Sequence, residues 1–242
     1  MSQSRIKFFV FFTGLLFLVW YMPVLGGGPP FLSELRVGER LTYDVKMGMV
    51  SAGTQVVCIL EKIHMGDAEV YHIISYTKTN PFFSIFYKMD NRIESFIDSR
   101  NLSLRKMIRE INEGNFHMKE IVYLDLESGK GYIQRNNSSR TIDVPPFVLT
   151  LVSLPYYLRS IALEVNQEIP LNIITDRGIE VYTAVVDSRE EVKTEIGKFL
   201  AFKIVEKQEK IKLWIGAEDR IPLKIQIGTN FGDVVGILKK VE

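Results

Sequence analysis

The feature that most restricts the fold of this chain is an alternation of apolar and polar residues that recurs after residue 40. It runs through residues 41–47, 211–215 and 221–227. A period of two places successive side chains on opposite faces of a β-strand, so each segment predicts a strand with one buried face. Further segments are β-branched and aromatic on both faces and predict central strands covered on both sides: residues 56–60, 70–76, 179–186 and 199–205.

Turn sequences separate these segments at short intervals. They are rich in glycine, asparagine and aspartate, at residues 65–67, 112–115, 127–131, 176–178, 196–198 and 228–230. These residue types accept the positive φ angles that tight hairpins require. Regular hairpins with few helical stretches predict a mainly β fold, a curled antiparallel sheet that forms a barrel or half-barrel.

Two segments depart from the strand pattern. Residues 145–163 carry apolar side chains at helical spacing, and Pro155 is predicted to kink this segment or to divide it into two short helices. Residues 80–87 form a dense aromatic patch that predicts a short helix or a flap. The curled sheet is therefore expected to carry one or two short covering helices, with the segment around Tyr156 filling or covering its concave face.

The amino terminus predicts export. Arg5 and Lys7 precede an uncharged run at residues 8–25, and a Gly/Pro-rich stretch follows at residues 26–30. Basic residues before an apolar run are typical of a secretory signal, and this run is also close to the length of a membrane-spanning helix. Residues 1–30 are therefore a signal peptide or an N-terminal membrane anchor, and residues 31–242 are a single periplasmic β domain. The domain is either released into the periplasm or held at the inner membrane by an uncleaved hydrophobic helix.

Charge and cysteine content exclude other classes. The chain has 30 basic and 29 acidic residues, which is too balanced for electrostatic binding to nucleic acid. Cys58 is the single cysteine, so no intramolecular disulfide can form, and its apolar neighbours predict a buried side chain. Cys58 is not close to the leader, which excludes the usual lipoprotein attachment site.

Residues suited to catalysis are few. His64 and His72 flank a predicted turn. They could bind a metal only with further ligands, and His117 lies far along the chain, so they are interpreted as polar residues at a sheet edge. No serine stands in a nucleophile-elbow context, and no glycine-rich phosphate loop is present. The sequence therefore predicts a protein that is not an enzyme, without a metal or another cofactor.

Aromatic residues are the strongest candidates for a binding site. The two aromatic segments could enclose an apolar cavity between the sheet and the helix, and such a cavity suits an acyl chain or another apolar ligand. Arg159, at the end of the predicted helix, could meet a buried carboxylate or an anionic group of the ligand. The alternative is that the helix simply packs on the sheet as part of the core. The candidate ligand-binding residues are Phe82, Phe83, Phe86, Tyr87, Tyr156, Tyr157 and Arg159.

Three short motifs follow one another along the domain. Residues 38–45 read GERLTYDV, with Ser-Ala-Gly at 51–53, residues 153–159 read SLPYYLR, and residues 213–225 read LWIGAEDRIPLKI. In this order they resemble the G-E-x-L-x-Y-x-V opening, the S-x-x-Y-Y-L-R helix and the W-x-x-x-D-x-x-x-P-x-K-I ending of a large family of exported bacterial proteins. That family is catalogued as a domain of unknown function, and the resemblance covers residues 35–242.

The resemblance implies a periplasmic, all-β domain whose curled sheet and covering helix are similar to those of lipoprotein-carrier proteins. No catalytic residues come with the family. The function expected is binding of lipid or of a lipoprotein acyl chain between sheet and helix. The alternative is a structural or interaction module of the cell envelope with a filled core and a protein partner, and an enzyme acting on envelope polymer is the third hypothesis. The expected partners are a membrane, through the N-terminal segment, and a lipid, lipoprotein or envelope protein.

Overall fold

The computed structural model describes residues 34–229 and 232–242, and the leader predicted at residues 1–30 lies outside them. The described residues form one 14-stranded antiparallel sheet with two short helices. The elements are β1 (Arg40–Met47), β2 (Val50–Met65), β3 (Ala68–Thr79), α1 (Pro81–Ser84), β4 (Asp90–Asp98), β5 (Leu104–Glu113), β6 (Phe116–Asp125), β7 (Lys130–Arg135), β8 (Ser138–Asp143), α2 (Leu154–Ser160), β9 (Glu168–Ile174), β10 (Ile179–Thr194), β11 (Gly197–Glu206), β12 (Ile211–Gly216), β13 (Pro222–Thr229) and β14 (Gly232–Val241). None of the helices in this part of the chain has the length and apolar character needed to span a membrane.

The first and last strands of the domain pair at the centre of the sheet. The spatial order is β8-β7-β6-β5-β4-β3-β2-β1-β14-β13-β12-β11-β10-β9, so each half of the sheet is a run of consecutive hairpins. Leu41 lies opposite Val241 and Met47 lies opposite Val234 in the β1–β14 pair. The edges of the sheet are therefore β8 and β9, which are neighbours in sequence and are joined by the segment that contains α2.

The sheet curls but does not close. No backbone ladder joins β8 to β9 in the described residues, although Leu149 in the intervening segment pairs with Ile173 of β9. Arginine side chains cross between the two edges: Arg135 donates to the carbonyl of Asp176 at 2.9 Å, and Arg140 donates to that of Arg177 at 3.3 Å. The predicted mainly β fold with a curled antiparallel sheet is confirmed.

Alternating side chains build one core inside the curled sheet. Leu41, Tyr43, Ile59 and Ile73 point inwards and are almost fully buried. α2 enters this space, and its apolar residues Leu154, Pro155, Tyr156, Tyr157 and Leu158 are all buried. A short helix is therefore the central packing element of the barrel, and the covering helix predicted for the concave face is present.

Pro155 is the second residue of α2 and does not divide it. Residues 151–153 before the helix form a turn, and Leu149 before that turn pairs with β9, where its amide donates to the Asn172 carbonyl at 2.8 Å. Proline lacks the amide hydrogen that the first turn of a helix does not use, so it is well suited to that turn. The prediction of a kink or of two helices at Pro155 is wrong for this reason.

A buried ion pair holds the carboxyl end of α2. Arg159 donates to Glu39, just before β1, at 2.6 Å, and both side chains are largely removed from solvent. Beside this pair, the Tyr43 hydroxyl donates to the Pro222 carbonyl at 2.9 Å. The three motifs noted in the sequence therefore meet at one place, because each contributes a partner to these contacts.

Arg220 completes the attachment of α2. Its guanidinium donates to the carbonyl oxygens of Leu158 and Arg159 at 3.2 and 3.3 Å, and also to that of Ile161. The last carbonyls of a helix have no partner within the helix, so a cation placed there satisfies them and complements the helix dipole. Arg220 has a φ of +60°, a left-handed conformation that costs energy in a residue other than glycine. We attribute the retention of this strained residue to the cap that it provides.

Replacement of Arg159 by alanine should leave the Glu39 carboxylate buried without its partner. We expect the free energy of unfolding to fall by about 3 kcal/mol, since an isolated buried charge is strongly unfavourable. Urea denaturation followed by circular dichroism measures this change. The control is Lys207→Ala, which removes the exposed ion pair with Glu168 and should cost less than about 0.5 kcal/mol. Similar losses of stability in both variants would contradict the conclusion that the Glu39–Arg159 ion pair holds α2 in place.

Candidate functional site

The predicted site residues on α2 belong to the core. Tyr156 and Tyr157 are 2% and 7% exposed, and the ring of Tyr157 lies 5.0 Å from that of Phe147. Arg159 is held by Glu39, which is the buried carboxylate that the sequence analysis offered as one of its alternatives. These side chains fill the concave side of the sheet.

The cavities beside α2 are small. One of about 30 Å³ is lined by Tyr43, Val57, Pro155 and Tyr156, and another of about 10 Å³ lies beside Leu158. The larger has room for about one water molecule, whereas sites for drug-sized ligands have volumes of roughly 300–1,000 Å³. An acyl chain has no place beside α2 in this arrangement.

Exposed apolar side chains gather instead at one end of the barrel. Ile85 and Phe86, just after α1, are 77% and 74% exposed, and Met49 in the β1–β2 turn is 98% exposed. The β5–β6 turn lies beside them and adds Phe116. We call this surface the apolar rim, and it consists of Met49, Val50, Phe82, Ile85, Phe86, Tyr87 and Phe116.

The predicted site residues therefore separate into two groups. Phe82, Phe86 and Tyr87 lie on the apolar rim, and Phe83 is half-buried with its ring 5.9 Å from that of Phe82. The tyrosines of α2 lie inside the barrel. The sequence interpretation that both groups line a single cavity is not what the structure shows, because α1 connects β3 to β4 at the end of the barrel.

Hydrogen bonds hold α1 rigidly against β2. The Asn80 side chain accepts from the Phe83 amide at 2.8 Å and donates to the Ser51 carbonyl at 2.7 Å. The Thr79 hydroxyl lies 2.9 Å from that of Ser84. Asparagine is a favourable N-cap because its oxygen binds one of the free amides of the first helical turn. The exposed aromatic side chains are therefore carried by an ordered segment.

A second set of contacts joins the α1 segment to the β5–β6 turn. The Gly114 amide donates to the Lys88 carbonyl at 2.8 Å, and the Tyr87 hydroxyl donates to Glu113 at 3.0 Å. Partial burial and the Glu113 carboxylate raise the pKa of the Tyr87 phenol. Gly114 has a φ of +57°, which a tight hairpin requires at this position. The two hairpin turns and α1 thus form one connected surface.

Two buried carboxylates elsewhere, Glu120 and Asp98, are paired with arginine within the fold. Glu120 binds Arg109 and accepts from Arg135 at 2.6 Å. Asp98 accepts a hydrogen bond from Arg105 at 2.7 Å. Burial raises the pKa of the Asp98 carboxyl group, but hydrogen bonds from Arg100 and Arg105 outweigh this effect and hold the pKa below its ordinary value. No cluster of three or more metal-binding side chains occurs in residues 34–229 and 232–242.

The two histidines of the predicted sheet edge are separate. His72 lies between Glu94 at 2.7 Å and Glu61 at 3.4 Å, with its ring stacked on Phe96. His64 lies opposite Glu69 in the β2–β3 pair. His72 is therefore a partner in a side-chain network on β2, β3 and β4, at the centre of one half of the sheet.

Sequence reasoning missed the hairpin part of the apolar rim. Met49, Val50 and Phe116 were not candidates, although a signal was available. Turn positions usually carry small or polar residues, so Met49 in the β1–β2 turn, followed directly by Val50 at the start of β2, is unexpected. Apolar residues in a turn can be found from sequence, but their adjacency to α1 depends on the pairing of the strands.

A family model for the DUF3108 proteins of unknown function matches residues 42–239, most of the chain. The chain belongs to this family. The resemblance proposed from the three motifs is thereby confirmed. No curated protein matches the chain.

Two solved structures are similar to this DUF3108 protein at low sequence identity. A β-barrel-like protein of the DUF1849 domain of unknown function from Brucella abortus has a TM-score of 0.56 and 13% identity, over 87% of this chain and 99% of that one. A protein with a YmcC-like fold from Bacteroides fragilis has a TM-score of 0.38 and 10% identity, over 88% of this chain and 99% of that one. The first of these likenesses supports the fold alone.

The buried tyrosines offer a matched test of the packed interior. The Tyr156 hydroxyl has no hydrogen-bond partner among the described residues, whereas the Tyr43 hydroxyl binds Pro222. We expect Tyr156→Phe to raise the free energy of unfolding by about 1 kcal/mol and Tyr43→Phe to lower it by about 1 kcal/mol. Urea denaturation measures both. A loss of stability in Tyr156→Phe would mean that the 30 Å³ cavity holds a water bound to this hydroxyl.

Alkaline pH should destabilise the protein. Burial raises the pKa of the Tyr156 phenol, and burial together with the Glu39 carboxylate raises that of Tyr43. In the unfolded chain both phenols ionise near about pH 10, so the unfolded state binds fewer protons and stability falls as pH rises above that value. Denaturation between about pH 8 and 11 should show a shallower decline for the double variant Tyr43→Phe/Tyr156→Phe than for wild type. Equal slopes would contradict this assignment.

Proposed function

We propose that this DUF3108 protein is a non-enzymatic component of the cell envelope that contacts its partner through the apolar rim. The barrel interior is then a packed core that holds the rim in position. This is the interaction-module hypothesis of the sequence analysis, with a defined contact surface. Export through the segment at residues 1–30, with residence in the periplasm or at the inner membrane, is part of the proposal.

One observation carries the proposal. Apolar side chains are exposed on the apolar rim, whereas the apolar side chains around α2 are buried and leave little space for a ligand. The rim joins seven side chains from three neighbouring connections, including Ile85 at 77% and Met49 at 98% exposure. Single exposed apolar residues are common, but contiguous patches mark interaction surfaces. The rim residues are therefore better candidates for partner contact than the residues around α2.

The hypothesis of an acyl chain between sheet and helix has less support. It would require α2 to leave its place, since the cavities beside it have volumes of about 10 and 30 Å³. Displacing α2 would break the Glu39–Arg159 ion pair and the contacts of Arg220 with the helix carbonyls. The interior contacts are those expected of a stable core.

The hypothesis of an enzyme has little support as well. The carboxylates of Glu39, Asp98 and Glu120 are each neutralised by arginine within the fold. General acid–base catalysis needs a carboxylate that can reach a substrate with a suitable pKa. Paired groups of this kind stabilise the sheet and its helix, so we assign them structural roles.

Photo-crosslinking in cells of the source organism tests the proposal. A benzophenone amino acid is placed at Phe86 on the apolar rim, and at Leu60, a 47% exposed apolar residue within β2, as the control. We expect a covalent adduct of defined mass from position 86, none from Leu60, and loss of the position 86 adduct when Phe82 is replaced by aspartate. No adduct at position 86, together with lipid that co-purifies in native mass spectrometry, would contradict the proposal and favour a carrier.

A further inference from the structure

We infer that the partner of the apolar rim is a lipid surface, and that Phe82, Ile85 and Phe86 enter the boundary between headgroups and acyl chains. This inference rests on the proposed function, because it names the partner of the same surface. It is carried by the exposure of the rim side chains, the hydrogen bonds of the backbone amides, the lysines nearby and the distance of the rim from the start of β1.

The rim projects from the protein and does not form a groove. Phe82, Ile85 and Phe86 are 62%, 77% and 74% exposed, and Met49 is 98% exposed. Side chains this exposed lie on a convex surface, so a folded partner would need a complementary pocket for each. A fluid lipid surface takes up projecting apolar groups without such pockets, and aromatic side chains favour its boundary with water.

Several backbone amides of the α1 segment are paired within the segment itself. The Phe83 amide binds the Asn80 side chain, and the Ser84 amide binds the Asn80 carbonyl at 2.9 Å. The amides of Phe86 and Tyr87 both bind the Phe83 carbonyl, at 3.0 and 2.8 Å. In a lipid environment unpaired backbone groups are costly, so a membrane-entering segment must satisfy them internally. Binding to another protein imposes no such requirement.

Lysines surround the apolar side chains. Lys88 follows Tyr87, is exposed, and has no ion pair with any of the residues at 34–229 and 232–242. Lys46 and Lys78 lie at the ends of the neighbouring strands, each beside an aspartate at 3.6 and 3.3 Å. Long basic side chains at the edge of an apolar patch can keep their stems in the lipid boundary and place their charges among headgroup phosphates.

The rim and the start of the described domain lie at opposite ends of β1. Residues 34–39 precede β1, and the rim lies where β1 ends. The eight residues of β1 span about 26 Å at about 3.3 Å per residue. Contact of the rim with lipid is therefore distinct from any contact made at residues 34–39, and the two can be measured separately.

The test uses the full chain in vesicles of phosphatidylethanolamine and phosphatidylglycerol. After Cys58→Ala removes the buried native thiol, a single cysteine is introduced by Ile85→Cys on the rim or by Leu60→Cys within β2 and is labelled with an environment-sensitive dye. We expect a blue shift and strong quenching by spin-labelled lipid at position 85. Position 60 should show neither change. Emission at position 85 that matches position 60 would overturn the inference.

Matched substitutions separate lipid insertion from general effects. In the protein labelled at position 85, Phe82→Asp/Phe86→Asp should lower lipid quenching at least fivefold, whereas Phe82→Leu/Phe86→Leu should retain most of it. Circular dichroism checks that both variants are folded, which we expect because these side chains are exposed. Equal quenching in the aspartate and leucine variants would also overturn the inference.

The two experiments distinguish failure of the inference from failure of the proposed function. A protein adduct at position 86 in cells, without lipid quenching at position 85, rejects the lipid surface and retains an interaction module with a protein partner. Absence of both signals rejects the apolar rim as a contact surface. Lipid adducts in cells together with quenching in vesicles support both.

Discussion

The position of α2 depends on a buried ion pair, and most other features of the protein follow from it. Glu39 and Arg159 join the chain before β1 to the carboxyl end of the helix. Arg220, in a strained left-handed conformation, caps the same end. These contacts hold the helix inside a sheet whose edges do not pair. The open side is linked by Arg135 and Arg140, which bind carbonyls of the β9–β10 turn, and by the pairing of Leu149 with Ile173 of β9. Neither the Glu39 nor the Arg159 charge could be buried alone.

A packed interior moves function to the surface. Folds in which a curled sheet surrounds a helix can bind ligands only when the helix leaves space, and here the tyrosines of α2 occupy that space. The connection between β3 and β4 then becomes important, because Asn80 fixes exposed aromatic residues in an ordered turn. An ordered surface loses little conformational entropy when it binds. The same framework that fills the space around α2 therefore supports the proposed external contact.

Much of the fold could be predicted because strand signals are local. The alternation at Leu41–Met47 and the glycine turn at residues 112–115 depend only on neighbouring residues. Both are confirmed, in β1 and in the β5–β6 hairpin. Prediction was weaker where one sequence pattern is compatible with two different structures. Pro155 suits the first turn of a helix as well as a break, and only the pairing of Leu149 with β9 decides between them.

The sequence by itself determined the class of fold, the segments that become strands, and the family, because periodicity, turn residues and short motifs are properties of adjacent positions. The tertiary structure alone decided which aromatic residues share a surface. Phe86 and Tyr157 carry similar side chains, but one lies on a turn at the end of the barrel and the other on the helix inside it. That difference arises from strand pairing between distant parts of the chain. The interior and the ends of the curled sheet are defined only when β1 pairs with β14.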